Sequence, residues 1–519
     1  MHIKTTIYQL LLCIAGSLFF PASHLMAQNW TGDNGDGTYT NPVIAADFPD
    51  PDVIRVGDTY YMVSTTMFIF PGVTILKSKD LVNWNYCSNA VGRFDFAPQY
   101  NLLDGNRYGH GQWATSLKYH DGKFYLLFIT LNEGGFVCTA EKAEGPWKIT
   151  HLPKGFYDPG LFFDDNGKIY VAHGYGKIMI TELDKNLHAI SPDSLIYTGD
   201  IRGGLEGTHV YKINGYYYLY CTYGGRDGIQ VALRSKNIYG PYEEKVVLRD
   251  TTMGVTFGVH QGALIQTQSG QWWTMLFVDS GPFGRFPSLQ PVKWIDNWPV
   301  AGMDGHGVVT YEKPEVGKKY PIHHLPTSSA FNGPNLGLQW GWNHNPDSTK
   351  WSLTEKKGVL RLHTVRVVDN LRDAVNTLTQ RPIAKRNQKS PTTATTKLDV
   401  SHMQVGDIAG LAVFQDPYAF IAVKRTEGTD YIIMVNNGVA VDSVALNNPI
   451  VYLKTNASNA TAKARFAYSL DGHQFRPLGD ALDMKFSLKI FTGNKFCLFN
   501  YPTKRTGGYV DVEWFRTNN

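Results

Sequence analysis

From Asn41 to about Val309 one pattern of polar and apolar positions recurs five times: a turn glycine, then a strand in which aromatic and aliphatic side chains alternate. The copies read VGDTYYMVST at Gly57, HDGKFYLLFI at Gly122, DDNGKIYVAH at Gly167, INGYYYLYCT at Gly215 and SGQWWTMLFV at Gly270, spaced 45 to 65 residues apart. Asp-Gly and Asn-Gly ahead of alternating residues mark β-hairpins, because glycine accepts the positive φ that such turns demand. A period near 50 residues leaves room for four short strands per copy, which is the repeat of a propeller blade. The pattern predicts an all-β chain with a five-bladed β-propeller. After the breakers in KPEVGKKYPIHHLP the register disappears, and Phe331 to Phe515 shows alternating strands behind a tryptophan-rich opening, LGLQWGWNHNPDSTKW.

The first residues follow a different pattern. Lys4 precedes an apolar stretch from Ile7 to Phe20, and Leu25-Met26-Ala27 offers a small-residue cleavage site before Gln28, so residues 1–27 read as a secretory signal. Leu12 stands before Cys13 where a lipoprotein signal has a small residue, which argues against a lipid anchor. No other segment approaches the roughly 20 apolar residues of a membrane span. The expected product is exported, periplasmic or secreted.

Composition sharpens this reading. Charged residues are 18% and hydrophobic residues 43% of the 519, which excludes a disordered chain, and a formal charge of +4 without long like-charge runs gives nucleic acid no electrostatic footing. Aromatics at 13% with 51 glycines suit short strands, tight turns and surfaces that stack on sugar rings. Cys87, Cys138, Cys221 and Cys497 are widely spaced and lack any C-x-x-C pair, so they read as small buried hydrophobes and not as a zinc site or disulfides.

Counting back from each turn glycine gives the candidate chemistry. Asp50 lies 7 residues before Gly57, Trp113 9 before Gly122, Asp158 9 before Gly167, Glu206 9 before Gly215 and His260 10 before Gly270. Locally, an aspartate beside proline in FPDPD or FYDPG is a turn former, and His260 in GVHQGAL is an ordinary structural histidine. If the innermost strand of each blade precedes its hairpin, however, the five residues converge at one end of the central channel. Carboxylates buried round one axis repel one another, and at least one is driven to hold its proton. Two carboxylates with divided pKa values serve glycosidic hydrolysis, one as acid to the leaving oxygen and one as base or nucleophile. No G-x-S-x-G, H-E-x-x-H, Walker or dinucleotide fingerprint supports another chemistry.

The segments NPVIAADFPDPDVIRVGDTYYMVSTT, FPGVTILKSKDLVNW, FYDPGLFFDDNGKIYV and EGTHVYKINGYYYLYCTYGG resemble glycoside hydrolase family 43, whose members are five-bladed propellers that hydrolyse arabinofuranosides and xylosides with inversion. The resemblance implies that Asp50 is the general base, Asp158 modulates and orients the acid, and Glu206 is the general acid. It also implies that Trp113 in GQWATS and Arg285 in GPFGRF line the sugar pocket. His260 matches a histidine that in many members belongs to a calcium or water shell; no cofactor is required, and structural Ca2+ is the one ion the resemblance allows. The downstream third is similar to the β-sandwich of longer members, which often leans a loop over the pocket. The expected division is therefore 28–317 propeller and 318–519 sandwich, with Ser390–Thr396 an ordinary loop leading into a strand.

Three functions compete: an exo-acting α-L-arabinofuranosidase or β-xylosidase working on hemicellulose oligosaccharides, a retaining fructan hydrolase, and a non-catalytic sugar-binding propeller. The carboxylate register disfavours a pure binder, and fructan-hydrolase motifs are absent. Xylosidase-like members commonly read S-T-F-E-W-F-P-G where this chain has Thr65 to Gly72, so Met67 and Ile69 replace aromatics of the expected pocket wall, to which Phe70 also belongs. This favours arabinofuranose over xylose.

Overall fold

The computed structural model describes residues 30–199, 201–251, 254–385 and 389–517. The signal expected over residues 1–27 lies outside them. Five four-stranded antiparallel sheets follow in chain order, each with its strands in sequence order from the axis outward. Their innermost strands are Asp52–Val56, Gln112–His120, Gly160–Phe163, Leu205–Ile213 and His260–Gln266, and each precedes its hairpin. All five hairpin glycines, Gly57, Gly122, Gly167, Gly215 and Gly270, have φ between 62° and 86°. Asp121 and Asn214 just before two of them are also at positive φ, the turn whose twist matches that of the strands it joins.

The ring closes without a strand exchanged between blades. The segment before the first blade runs along the third strand of the fifth: Phe48 N–H donates to the Arg285 carbonyl at 2.9 Å, Val43 N–H to Pro287 at 2.9 Å, and the Asn41 amide to Leu289 and Val308. Thr38–Thr40 then pairs with Thr310–Glu312.

The second unit is a sandwich of two eight-stranded antiparallel sheets, its first own strand being Trp340–Asn343. The expected division at 317/318 falls in the stretch without regular strands between Glu312 and Trp340. One sandwich sheet takes its edge strand from the propeller: Ile69–Phe70 pairs with Trp342 and Asn343, and His344 N–H donates to the Phe68 carbonyl at 2.9 Å. A single buried cluster runs from Tyr39, Phe48 and Trp273 of the propeller to Trp340, Leu411 and Phe515 of the sandwich, so the two units share a core. Cys87, Cys138, Cys221 and Cys497 are free and buried, as expected. Thr392–Asp399 is a full strand, beginning inside the segment read as a loop. Among the described residues no helix is long and apolar enough to cross a membrane.

Candidate active site

A pocket of about 590 Å³ opens at the end of the channel where the inner strands begin. Asp50, Trp113, Asp158, Glu206, His260 and Arg285 all line it. Asp50 and Asp158 sit in the turns that enter their inner strands, with φ of 53° and 46°. Both are therefore the turn residues that FPDPD and FYDPG suggest locally, since aspartate tolerates left-handed backbone. The turn is what aims each carboxyl into the pocket, where Asp50 is only 8% and Asp158 5% exposed.

The three carboxyls stand in different surroundings. Both Asp50 oxygens are engaged: Arg285 Nη1 donates to Oδ1 at 2.9 Å and the Thr65 hydroxyl to Oδ2 at 2.7 Å. Asp158 forms no ion pair among the described residues; Gly207 N–H donates to its Oδ2 at 3.2 Å. Burial, then repulsion from Glu206 and Asp50, pushes its carboxyl well above the usual carboxylate range. Glu206 accepts from the Tyr157 hydroxyl at 3.1 Å, and burial, with the Asp50 charge adding to it, raises it to about 7. Gly224 gives Glu206 its room, because a Cβ there would stand 2.6 Å from Oε1. One carboxylate held against a cation faces two that resist ionisation, the division acid/base chemistry requires.

Arg285 does more than pair with Asp50. Its guanidinium carbon lies 5.0 Å from the Phe491 ring centre and 5.3 Å from Phe277, while its buried Nε and Nη2 make no hydrogen bond among the described residues. Trp113 stacks on Phe491 at 4.9 Å and 27°, and its buried indole N–H is likewise without a protein acceptor.

His260 is tied down locally. Its Nδ1 lies 2.6 Å from the Gly258 carbonyl, its ring packs 4.6 Å from Phe277, and Gly228 beneath it has no room for a Cβ, which would meet Nδ1 at 2.0 Å. Burial holds its pKa below the ordinary imidazole value. Calcium takes six to eight oxygen ligands. Among the described residues no three His, Cys, Asp or Glu side chains gather as a metal site.

Met67 and Phe70 are not in the pocket, which corrects their assignment to its wall. Met67 bridges to Gln112 and is fully buried beside Tyr108 and Phe420, while Phe70 packs on Phe94 and Tyr100 as part of the strand lent to the sandwich. The segment Thr65–Gly72 is a joint between the units; only Thr65 turns to the site.

The wall comes instead from the sandwich, through Phe486, Leu488 and Phe491. In the sequence FSLKIF alternates like a strand, but it forms a turn with Phe491 at φ 57°, and nothing local separates the two. Tyr157, next to Asp158 in FYDPG, was within reach of the register argument. Gln261, next to His260, was equally within reach, whereas Phe277 and Asp279 had no comparable signal.

Comparison with known proteins agrees with this geometry. The model described as "Glycosyl hydrolases family 43" matches residues 39–299, and that of the "Beta xylosidase C-terminal Concanavalin A-like domain" matches 328–518. A beta-xylosidase of Formosa agariphila is 35% identical over 93% of this chain and 91% of its own length. A non-reducing end alpha-L-arabinofuranosidase of Bacteroides ovatus is 33% identical over 73% of this chain and 74% of its own. The solved bifunctional GH43-CE protein of Bacteroides eggerthii superposes with a TM-score of 0.85 at 40% identity, covering 92% of this chain and 63% of that one. With both units matched in order and three carboxyls gathered in one pocket, the chain belongs to glycosyl hydrolase family 43 and is a glycosidase.

Proposed function

We propose that this glycosidase is exo-acting and inverting, and that it removes terminal β-D-xylosyl residues from hemicellulose-derived oligosaccharides after export to the periplasm or the medium. Asp50, held by Arg285 and Thr65, takes a proton from water as the water attacks the anomeric carbon. Glu206 gives its proton to the oxygen of the breaking C–O bond, and Asp158, which accepts from the N–H of the adjoining Gly207, orients it. Arg285 and Trp113 line the pocket that takes the bound sugar, and Phe491 covers it. The observation carrying this reading is the split among the carboxyls, with Glu206 raised to about 7 while Asp50 lies against a guanidinium.

Xylose stands first because the argument for arabinofuranose rested on Met67 and Ile69, and neither lines the pocket. The beta-xylosidase relative also matches over more of the chain than the arabinofuranosidase. Release of terminal α-L-arabinofuranose with the same residues is the second reading. Turnover of aryl β-D-xyloside beside aryl α-L-arabinofuranoside decides between them, and proton NMR of the first-formed sugar reads the stereochemistry. A first product of unchanged anomeric configuration rules out inversion.

A further inference from the structure

In a hydrolysis assisted by Glu206 the leaving sugar must lie on the outer side of that carboxyl, because the acid protonates the oxygen joining the two sugars. Sugars present flat apolar faces, and an exposed aromatic ring beside the acid is the group that would receive one. Tyr175 is such a ring.

It stands at the tip of the hairpin joining Ile169–His173 to Lys177–Leu183, in the sequence Gly174-Tyr175-Gly176. The hairpin is bonded to both segments that carry the acids, the turn of Asp158 and the strand of Glu206. Gly174 N–H donates to the Tyr157 carbonyl at 3.0 Å, and Gly176 N–H to Leu205 at 2.8 Å. These acceptors belong to the residues immediately before Asp158 and Glu206. Both glycines are at positive φ, 130° and 71°, and a Cβ on Gly174 would strike the Lys177 carbonyl at 2.1 Å. The ring itself meets Tyr157 edge to face at 6.1 Å, and its hydroxyl reaches over Gly204, where a Cβ would come within 2.9 Å. Tyr157 in turn donates to Glu206. Even so, Tyr175 remains 64% exposed. A large ring fixed in place but left in water contributes little to folding, since burial is what makes such rings stabilising.

We propose that Tyr175 is the platform for the leaving-side sugar, a xylosyl or comparable ring stacked beside Glu206 and outside the pocket that holds the terminal residue. The proposal rests on the hydrolytic reading given above. It makes Tyr175 a specificity residue for the part of the substrate that departs, with no part in bond cleavage.

The test compares two substrates that differ only on that side: xylobiose, whose leaving group is a sugar, and β-D-xylosyl fluoride, whose leaving group is an ion, with arabinofuranosyl counterparts beside them. Tyr175→Ala should lower kcat/KM on xylobiose about 3- to 10-fold, the range expected for one lost ring contact, mainly through KM. Fluoride hydrolysis should be unchanged. Tyr175→Trp and Tyr175→Phe should keep xylobiose activity, because a ring remains. A loss on xylobiose carried by kcat, with the alkaline limb of its pH profile moved, would mean that Tyr175 acts through Tyr157 on the acid; equal losses on both substrates would mean that it shapes the pocket of the terminal residue, and no loss on either would mean that the leaving sugar lies elsewhere; each overturns the platform. Wild-type protein that hydrolyses none of these substrates defeats the reading of function itself, and the platform with it.

Discussion

Glu206 and Asp158 are coupled by repulsion, and of the two Asp158 is the later to ionise: the Glu206 charge helps to push it up, while Glu206 itself is raised by burial and Asp50. Asp158→Asn keeps the size of the side chain, its left-handed turn and an acceptor for Gly207 N–H while removing the ionisable proton. The alkaline limb of kcat/KM, expected near pH 7 from Glu206, should stay in place, and the rate should fall about 10²- to 10⁴-fold with the fold intact. An unchanged rate would leave Asp158 as a turn residue only, and a limb moved to lower pH would show that its charge acts on Glu206. Glu206→Gln makes an opposite pair of predictions for activity and stability. Activity on sugar leaving groups should collapse while activated aryl glycosides keep far more turnover. The folded-state pKa of about 7 lies above the ordinary value of 4.5, so the folded protein holds a proton that the unfolded chain gives up, and this group erodes stability as pH rises from about 4.5 to 7. Removing it should stabilise the protein above pH 7 by an amount of order 1–3 kcal/mol, seen as a raised unfolding midpoint at pH 8 but not at pH 4.

At the level of elements, the five hairpins were legible because their chemistry is local. Glycine at positive φ followed by alternating apolar residues needs no tertiary context, and counting back from it located Asp50, Trp113, Asp158, Glu206 and His260 at one end of the channel. Two elements defeated the same logic for one reason, that their partners are distant in sequence. Ile69–Phe70 pairs with residues some 270 positions later, so Met67 and Phe70 read as pocket wall when they are a joint. Phe486–Phe491 alternates like a strand yet turns, and its rings lie against Trp113 and Arg285, far earlier in the chain. Stacked on Trp113 and 5.0 Å from the Arg285 guanidinium, Phe491 is worth about 1–2 kcal/mol to the pocket. Phe491→Ala should accordingly raise KM about 10-fold with a smaller effect on kcat. A change confined to kcat would show that the ring acts on Arg285 and the base, not on the sugar.

Across the whole molecule, that segment is seated by one buried ion pair. Lys495 Nζ lies 2.7 Å from Asp47 Oδ2, which also accepts from Gly493 N–H at 2.8 Å, while Oδ1 accepts from the backbone N–H of Arg285 at 3.0 Å. A single carboxylate thus ties the strand bearing Arg285 to the strand that follows Phe486–Phe491, and Gly284 must lack a Cβ, which would meet Asp47 Oδ1 at 2.1 Å. Burial pushes Lys495 down to about 8, so the pair is costly to assemble, and its value lies in fixing how the units meet. Lys495→Met would leave a buried carboxylate without the ammonium that matches its charge and should cost about 3–5 kcal/mol, lowering the denaturation midpoint and raising KM together. Adding Asp47→Asn removes the stranded charge and keeps an acceptor for one of the two backbone N–H groups, Arg285 or Gly493, so stability should return in part. If KM returns with it, hydrogen bonding alone seats the aromatic wall. If the double variant is stable but still binds substrate poorly, the charge pair itself sets the position of the sandwich over the pocket, the outcome expected from a lysine held so far below its ordinary pKa.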